Sequence, residues 1–60
     1  MTNKQICAQF WAEFPAFRRV PGNDQNDYPA DVRVSFCDFV EGLARAGHIT
    51  EAQAARVTLK

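Results

Sequence analysis

With 60 residues, 47% of them hydrophobic and including five Phe, one Trp and one Tyr, the chain suffices for one small domain and is too apolar to stay disordered. Seven Lys/Arg side chains offset seven Asp/Glu, and this zero net charge removes the long-range pull that draws a basic protein to nucleic acid or to an anionic membrane. No apolar run approaches the ~20 residues that cross a bilayer, and two cysteines are too few for a disulfide scaffold.

In chain order, Thr2 or Asn3 can cap a first helix of about Lys4 to Phe14. Ile6, Cys7, Phe10, Trp11 and Phe14 recur at three- and four-residue spacing, which gives that helix one apolar stripe. Phe17 stays on the stripe if the helix continues. Pro15 opposes continuation, because inside a helix it removes a hydrogen bond and clashes with the preceding turn at a cost of about 3 kcal/mol. A kink or a fresh short turn is therefore expected at Pro15. The stretch Val20 to Tyr28 reads as the one real loop, with Pro21-Gly22 suited to the centre of a type II turn and Asn23, Asp24, Asn26 and Asp27 as turn formers. Asp27 is placed to cap the second helix, with Pro29 in its first turn.

The second helix sets the architecture. In VRVSFCDFVEGLARAG the helical period gathers Val32, Phe36, Phe39, Val40, Leu43 and Ala46 on one stripe and puts Ser35, Asp38, Glu41 and Arg45 opposite. Glu41 precedes Arg45 by four residues, an arrangement worth roughly 0.2 to 0.5 kcal/mol on an exposed helix. Gly47 supplies a left-handed stop, Ile49 can fold back onto Leu43 or Val40, and Thr50 with Gln53 predicts a capping box opening a third helix of about Glu51 to Val57. Ile49 and Ala54 could form a weak staple across that start. Ala54, Val57 and Leu59 are available to close the core, and the last turn is expected to fray. VRVSF alternates briefly, but the following residues return to the helical period, so no strand is expected. The fold class is all-α: one domain over residues 1–60, a small three-helix bundle with a tight helix-turn-helix corner at Gly47 to Thr50.

Candidate chemistry is sparse. Cys7, Cys37 and His48 are the only soft ligands and lack zinc spacing, so no metal site is expected. The two cysteines are expected as small buried thiols that react only on denaturation, in a reducing cytoplasm. Asp24-Gln-Asn-Asp27 lacks the glycine and the distal Glu of a calcium loop. No catalytic constellation or cofactor motif is present, and His48 fits as a partner for the carbonyls at a helix end. The Gly47 corner has the outline of a DNA-binding helix-turn-helix, with Gln53 and Arg56 the side chains it would offer to bases. Carboxylates crowd the middle of the chain, five between Asp24 and Glu41 against Arg33 alone, while the flanks are mostly basic.

The phrase Gly47-His-Ile-Thr, followed by Ala55-Arg-Val-Thr-Leu59, resembles the ending of small uncharacterised proteins carried on bacterial plasmids and phages, over about a quarter of the chain. The resemblance implies a mobile-element origin; separately, the initial Met and the absence of linker-like or repeated segments lead to the expectation of a complete small open reading frame. It implies no activity. The residues themselves favour a small interaction module without catalysis, binding another protein or a second copy of itself. Its expected contact residues are Trp11, Phe17 and Arg18, because the apolar sector of the first helix is too wide for two short helices to cover and aromatic plus arginine is the composition of binding hot spots. A helix-turn-helix DNA-binding regulator is the alternative.

Overall fold

Thr2 begins the first helix by accepting the Gln5 N–H on its hydroxyl at 3.1 Å, while Gln5 Oε1 accepts the Thr2 N–H at 2.8 Å. This reciprocal box opens α1, Asn3–Glu13, in the computed structural model, which describes all residues 1–60. Two further helices follow, α2 at Ala30–Arg45 and α3 at Glu51–Arg56, with no strand. The chain is a small all-α three-helix fold. None of the helices is long and apolar enough to cross a membrane.

At Pro15 the helix ends and does not bend. Proline disfavours helical geometry in the residue before it, and Phe14 sits at φ −120°, ψ 67°, outside the helical region. The fresh turn follows at once, closed by the Phe17 N–H donating to the Phe14 carbonyl at 3.0 Å. Val20 to Asn23 then forms the expected turn, with Gly22 at φ +90° and the Asn23 N–H on the Val20 carbonyl at 3.1 Å.

Asp27 does not cap α2. Its carboxylate accepts the Asp24 N–H at 2.8 Å and so closes a short 3₁₀ turn, Gln25–Asp27. The N-cap of α2 is Pro29, with no side-chain cap, and Asp31 in the first turn takes the Val32 N–H at 2.9 Å. Two turn-forming aspartates three residues apart satisfied each other before the helix began.

The corner follows its local chemistry. Gly47 takes φ +82°, its N–H donates to Ala44, and the His48 N–H donates to Leu43 at 2.9 Å, the pair of bonds that satisfies the last carbonyls of a helix. Thr50 accepts the Gln53 N–H at 3.1 Å. The box is only half made: the Gln53 side-chain oxygen does not accept the Thr50 N–H, and its amide N–H donates to the Met1 carbonyl.

Ile6, Cys7, Phe10, Tyr28, Val32, Phe36, Val40, Leu43, Ile49 and Leu59 form the core. Phe10 is its centre: its ring lies 5.0 Å from Trp11, 4.9 Å from Phe14 and 5.2 Å from Phe36, the last edge to face. Phe14 and Phe39 pack at its margin, half-buried. One stripe position and one cysteine expected to be buried depart from expectation. Ala46 is exposed because it is the C-cap of α2, past the last core-facing turn, and Cys37 is an exposed thiol, one residue out of phase with Phe36 and Val40.

Candidate interaction cleft

The last turn of α3 closes with the Val57 N–H on the Gln53 carbonyl at 3.0 Å, and residues 58–60 lie beyond it. After α3 stops at Val57, the chain runs back across α1 and is held there by side chains. Asn3 uses both halves of its amide on one residue: Oδ1 accepts the Thr58 N–H at 2.9 Å and Nδ2 donates to the Thr58 carbonyl at 3.0 Å. The Cys7 thiol donates to that same carbonyl at 3.3 Å, and Gln25 Oε1 accepts the Leu59 N–H at 3.1 Å. Leu59 itself is fully enclosed in the core. A backbone without helical partners must satisfy its polar groups elsewhere, and here the side chains of α1 and the loop supply them.

The same return builds a cleft. Between α1 and the terminal segment lies a depression of about 640 Å³ lined by Asn3, Lys4, Cys7, Ala8, Trp11, Arg19 and Lys60. Lys4, Ala8 and Trp11 stand on one side of α1 because they recur at four and three residues. Trp11 is half-buried, edged against Phe10 and 5.3 Å from the Tyr28 ring, and its indole N–H donates to the Lys60 carbonyl at 3.2 Å. Arg19 donates from Nε to that oxygen at 3.3 Å, which brings guanidinium and indole to one point. Tyr28 steadies this wall from behind, its hydroxyl bonded to both the N–H and the carbonyl of Val20 at 3.2 Å. Three cations and no Asp or Glu side chain line the cleft. Its volume falls within the range of roughly 300 to 1,000 Å³ seen for ligand sites.

Of the residues expected to bind a partner, Trp11 is here. Phe17 is not: it is half-buried, stacked on Phe14 at 5.7 Å, and closes the edge of the core. Arg18 is exposed but does not line the cleft. Seven residues of unbroken helix would have set Arg18 near Trp11 in angle, whereas the break at Phe14 changes the register and puts Arg19 there. Lys4 was legible from its spacing to Trp11, while Arg19 and Lys60 depended on the break and the return of the tail.

Of the residues weighed for DNA, Gln53 is engaged within the molecule and Arg56 is exposed on α3. Gln53 is half-buried with its amide on Met1, and Arg56 bonds the Ala52 carbonyl at 3.3 Å, on a helix of six residues. No group of three His, Cys, Asp or Glu side chains is placed to hold a metal ion. Comparison with protein-family models, with curated proteins and with solved structures finds no match.

Proposed function

We propose that this chain is a small protein-protein interaction module, with no chemistry of its own, that engages its partner through the cleft between α1 and residues 58–60. The observation that carries this reading is Trp11 standing beside Arg19 in a recess large enough to seat side chains of another protein. Tryptophan and arginine are the residues most enriched where binding energy concentrates, above all in a pocket that can exclude water. The nucleic-acid reading has less to stand on, since Gln53 is tied internally, Arg56 is left as a lone candidate on a helix of six residues, and the net charge is zero. The exposed Cys37 thiol, which would oxidise in an oxidising compartment, supports a reducing cytoplasm as the place of action.

Ala8 offers a direct test, because it is exposed on the cleft wall and makes no part of the core. Ala8→Phe fills the recess at a stability change expected within about 0.5 kcal/mol. Capture of proteins from a cell extract, and self-association by light scattering, should both be lost in this variant with its circular dichroism unchanged. Undiminished binding by folded Ala8→Phe would exclude the cleft as the interface.

A further inference from the structure

The outer face of α2 is the chemical inverse of the cleft. Asp31, Val34, Asp38 and Glu41 recur at three- and four-residue intervals and are all exposed, with Val34 at 60% the most exposed large hydrophobic residue of the chain. They form a stripe opposite the buried positions Val32, Phe36, Val40 and Leu43: three carboxylates around one apolar knob, with Arg45, four residues past Glu41, closing the C-terminal end. The cleft presents Lys4, Arg19 and Lys60 around an apolar floor of Cys7, Ala8 and Trp11, with the Arg19 Nε already donating to the Lys60 main-chain oxygen and its terminal guanidinium nitrogens left for a partner. Spacing agrees as well. Asp31 and Asp38 are seven residues apart, about 10.5 Å along a helix. Lys4 and Trp11 are also seven apart on α1, and Trp11 marks the end where Arg19 lies. A helix laid along the cleft can therefore set one carboxylate against Lys4 and the other against Arg19, with Val34 facing Ala8 between them.

Resting on the reading of the cleft as an interface, we infer that its partner is a second copy of this chain, whose α2 face of Asp31, Val34 and Asp38 seats between Lys4 and Arg19. The two surfaces belong to different parts of the molecule, so the contact pairs unlike faces. It closes into a pair where a two-fold axis allows both contacts together, and otherwise runs head to tail. Exposed charges carry much of the complementarity, which makes the association sensitive to salt at separations near the Debye length, about 8 Å under physiological conditions.

Charge exchange tests the pairing on the full chain. The wild type should self-associate in sedimentation at 50 mM salt and weaken at least about tenfold at 500 mM. Lys4→Glu/Arg19→Glu leaves two acidic surfaces, and Asp31→Lys/Asp38→Lys leaves two basic ones. Each double variant should associate at least about 100-fold more weakly than the wild type, and mixing the two should restore a complex, because the first still carries the native stripe and the second the native cleft. Circular dichroism checks that both are folded. Should either unfold, the pairs Lys4→Gln/Arg19→Gln and Asp31→Asn/Asp38→Asn take their place, each with about a tenfold loss expected. A wild type that stays monomeric at millimolar concentration and low salt overturns the inference, as do variants that associate like the wild type or a mixture that does not recover. Loss of capture in Ala8→Phe alongside a failed mixture would retain the cleft as an interface and reject only the second copy as its occupant.

Discussion

The two ends of α2 teach different lessons. At its C-terminal end, the corner to α3 is made from neighbours: Gly47, His48 and Thr50 close it with bonds spanning three to five residues. At its N-terminal side, α1 and the loop after it meet residues 58–60 through bonds spanning 41 to 55 residues, from Asn3, Cys7 and Trp11 on the helix and Arg19 beyond it. The corner is a property of a short peptide, and the clasp exists only once the chain has closed on itself. Closing so long a loop costs conformational entropy before any bond is made, so the clasp must draw its stability from the core beneath it. The tail and its clasp should therefore stand or fall with Leu59, whereas the corner should lose stability in small local increments.

Leu59 is the largest lever. Leu59→Ala empties a fully enclosed site next to the last residue and should lose about 2 to 5 kcal/mol, enough to unfold a domain of this size, whose stability is on the order of a few kcal/mol. Phe39→Ala removes a bulkier side chain that is only half-buried, and its loss should be the smaller of the two. Urea melts of both variants decide the order, and a Leu59→Ala that melts like the parent would make the tail an ornament on a core complete without it. Next comes Asn3→Ala, which deletes both bonds to Thr58 while leaving Thr2 as the cap; roughly 1 to 3 kcal/mol should go, with hydrogen exchange accelerated at Thr58 and Leu59 but not at His48.

The same contrast explains what was readable in the sequence. The three helices, the stop at Gly47, the cap at Thr50 and the Pro21-Gly22 turn follow from rules that act within four or five residues, and they stand as expected. Asp27 failed as a cap because Asp24 offered it a nearer partner. Gln53 leaves its box half made and meets Met1, remote in sequence, through its amide N–H. Leu59 was available by composition, but nothing local could say that it would be sealed in. The site divides the same way: Trp11 and Lys4 share a helical face, whereas Arg19 needed the break at Phe14 and Lys60 needed the return of the tail.

Changes at the corner should be smaller than those at the tail. Gly47→Ala meets open space, so its cost is the left-handed backbone alone, about 1 to 2 kcal/mol. Thr50→Ala loses a single cap bond worth about 1 kcal/mol. Thermal melts of each against Leu59→Ala test the ranking. A corner variant that costs more than the core variant would mean that the local bonds carry the fold and the long-range ones follow.

The last test reads local opening instead of global stability and reports on the clasp directly. Cys37 is exposed and should react readily with a thiol reagent in the native state, whereas Cys7 is buried at the floor of the cleft with its thiol on the Thr58 carbonyl and should react far more slowly, gaining speed when residues 58–60 lift away. Two thiols on one chain thus give an internal reference: the rate at Cys37 calibrates the reagent, and the ratio of Cys7 to Cys37 measures how often the clasp opens. Asn3→Ala loosens that clasp, and about 1.4 kcal/mol of local destabilisation corresponds to a tenfold rise in the Cys7 rate. The Cys37 rate should stay where it was. Thr50→Ala, placed at the other end of α2, should change the ratio far less. Equal native rates at both cysteines would show that the tail is not held against α1, and a Cys7 rate that rises equally in Asn3→Ala and Thr50→Ala would show that tail and corner open together as one cooperative unit.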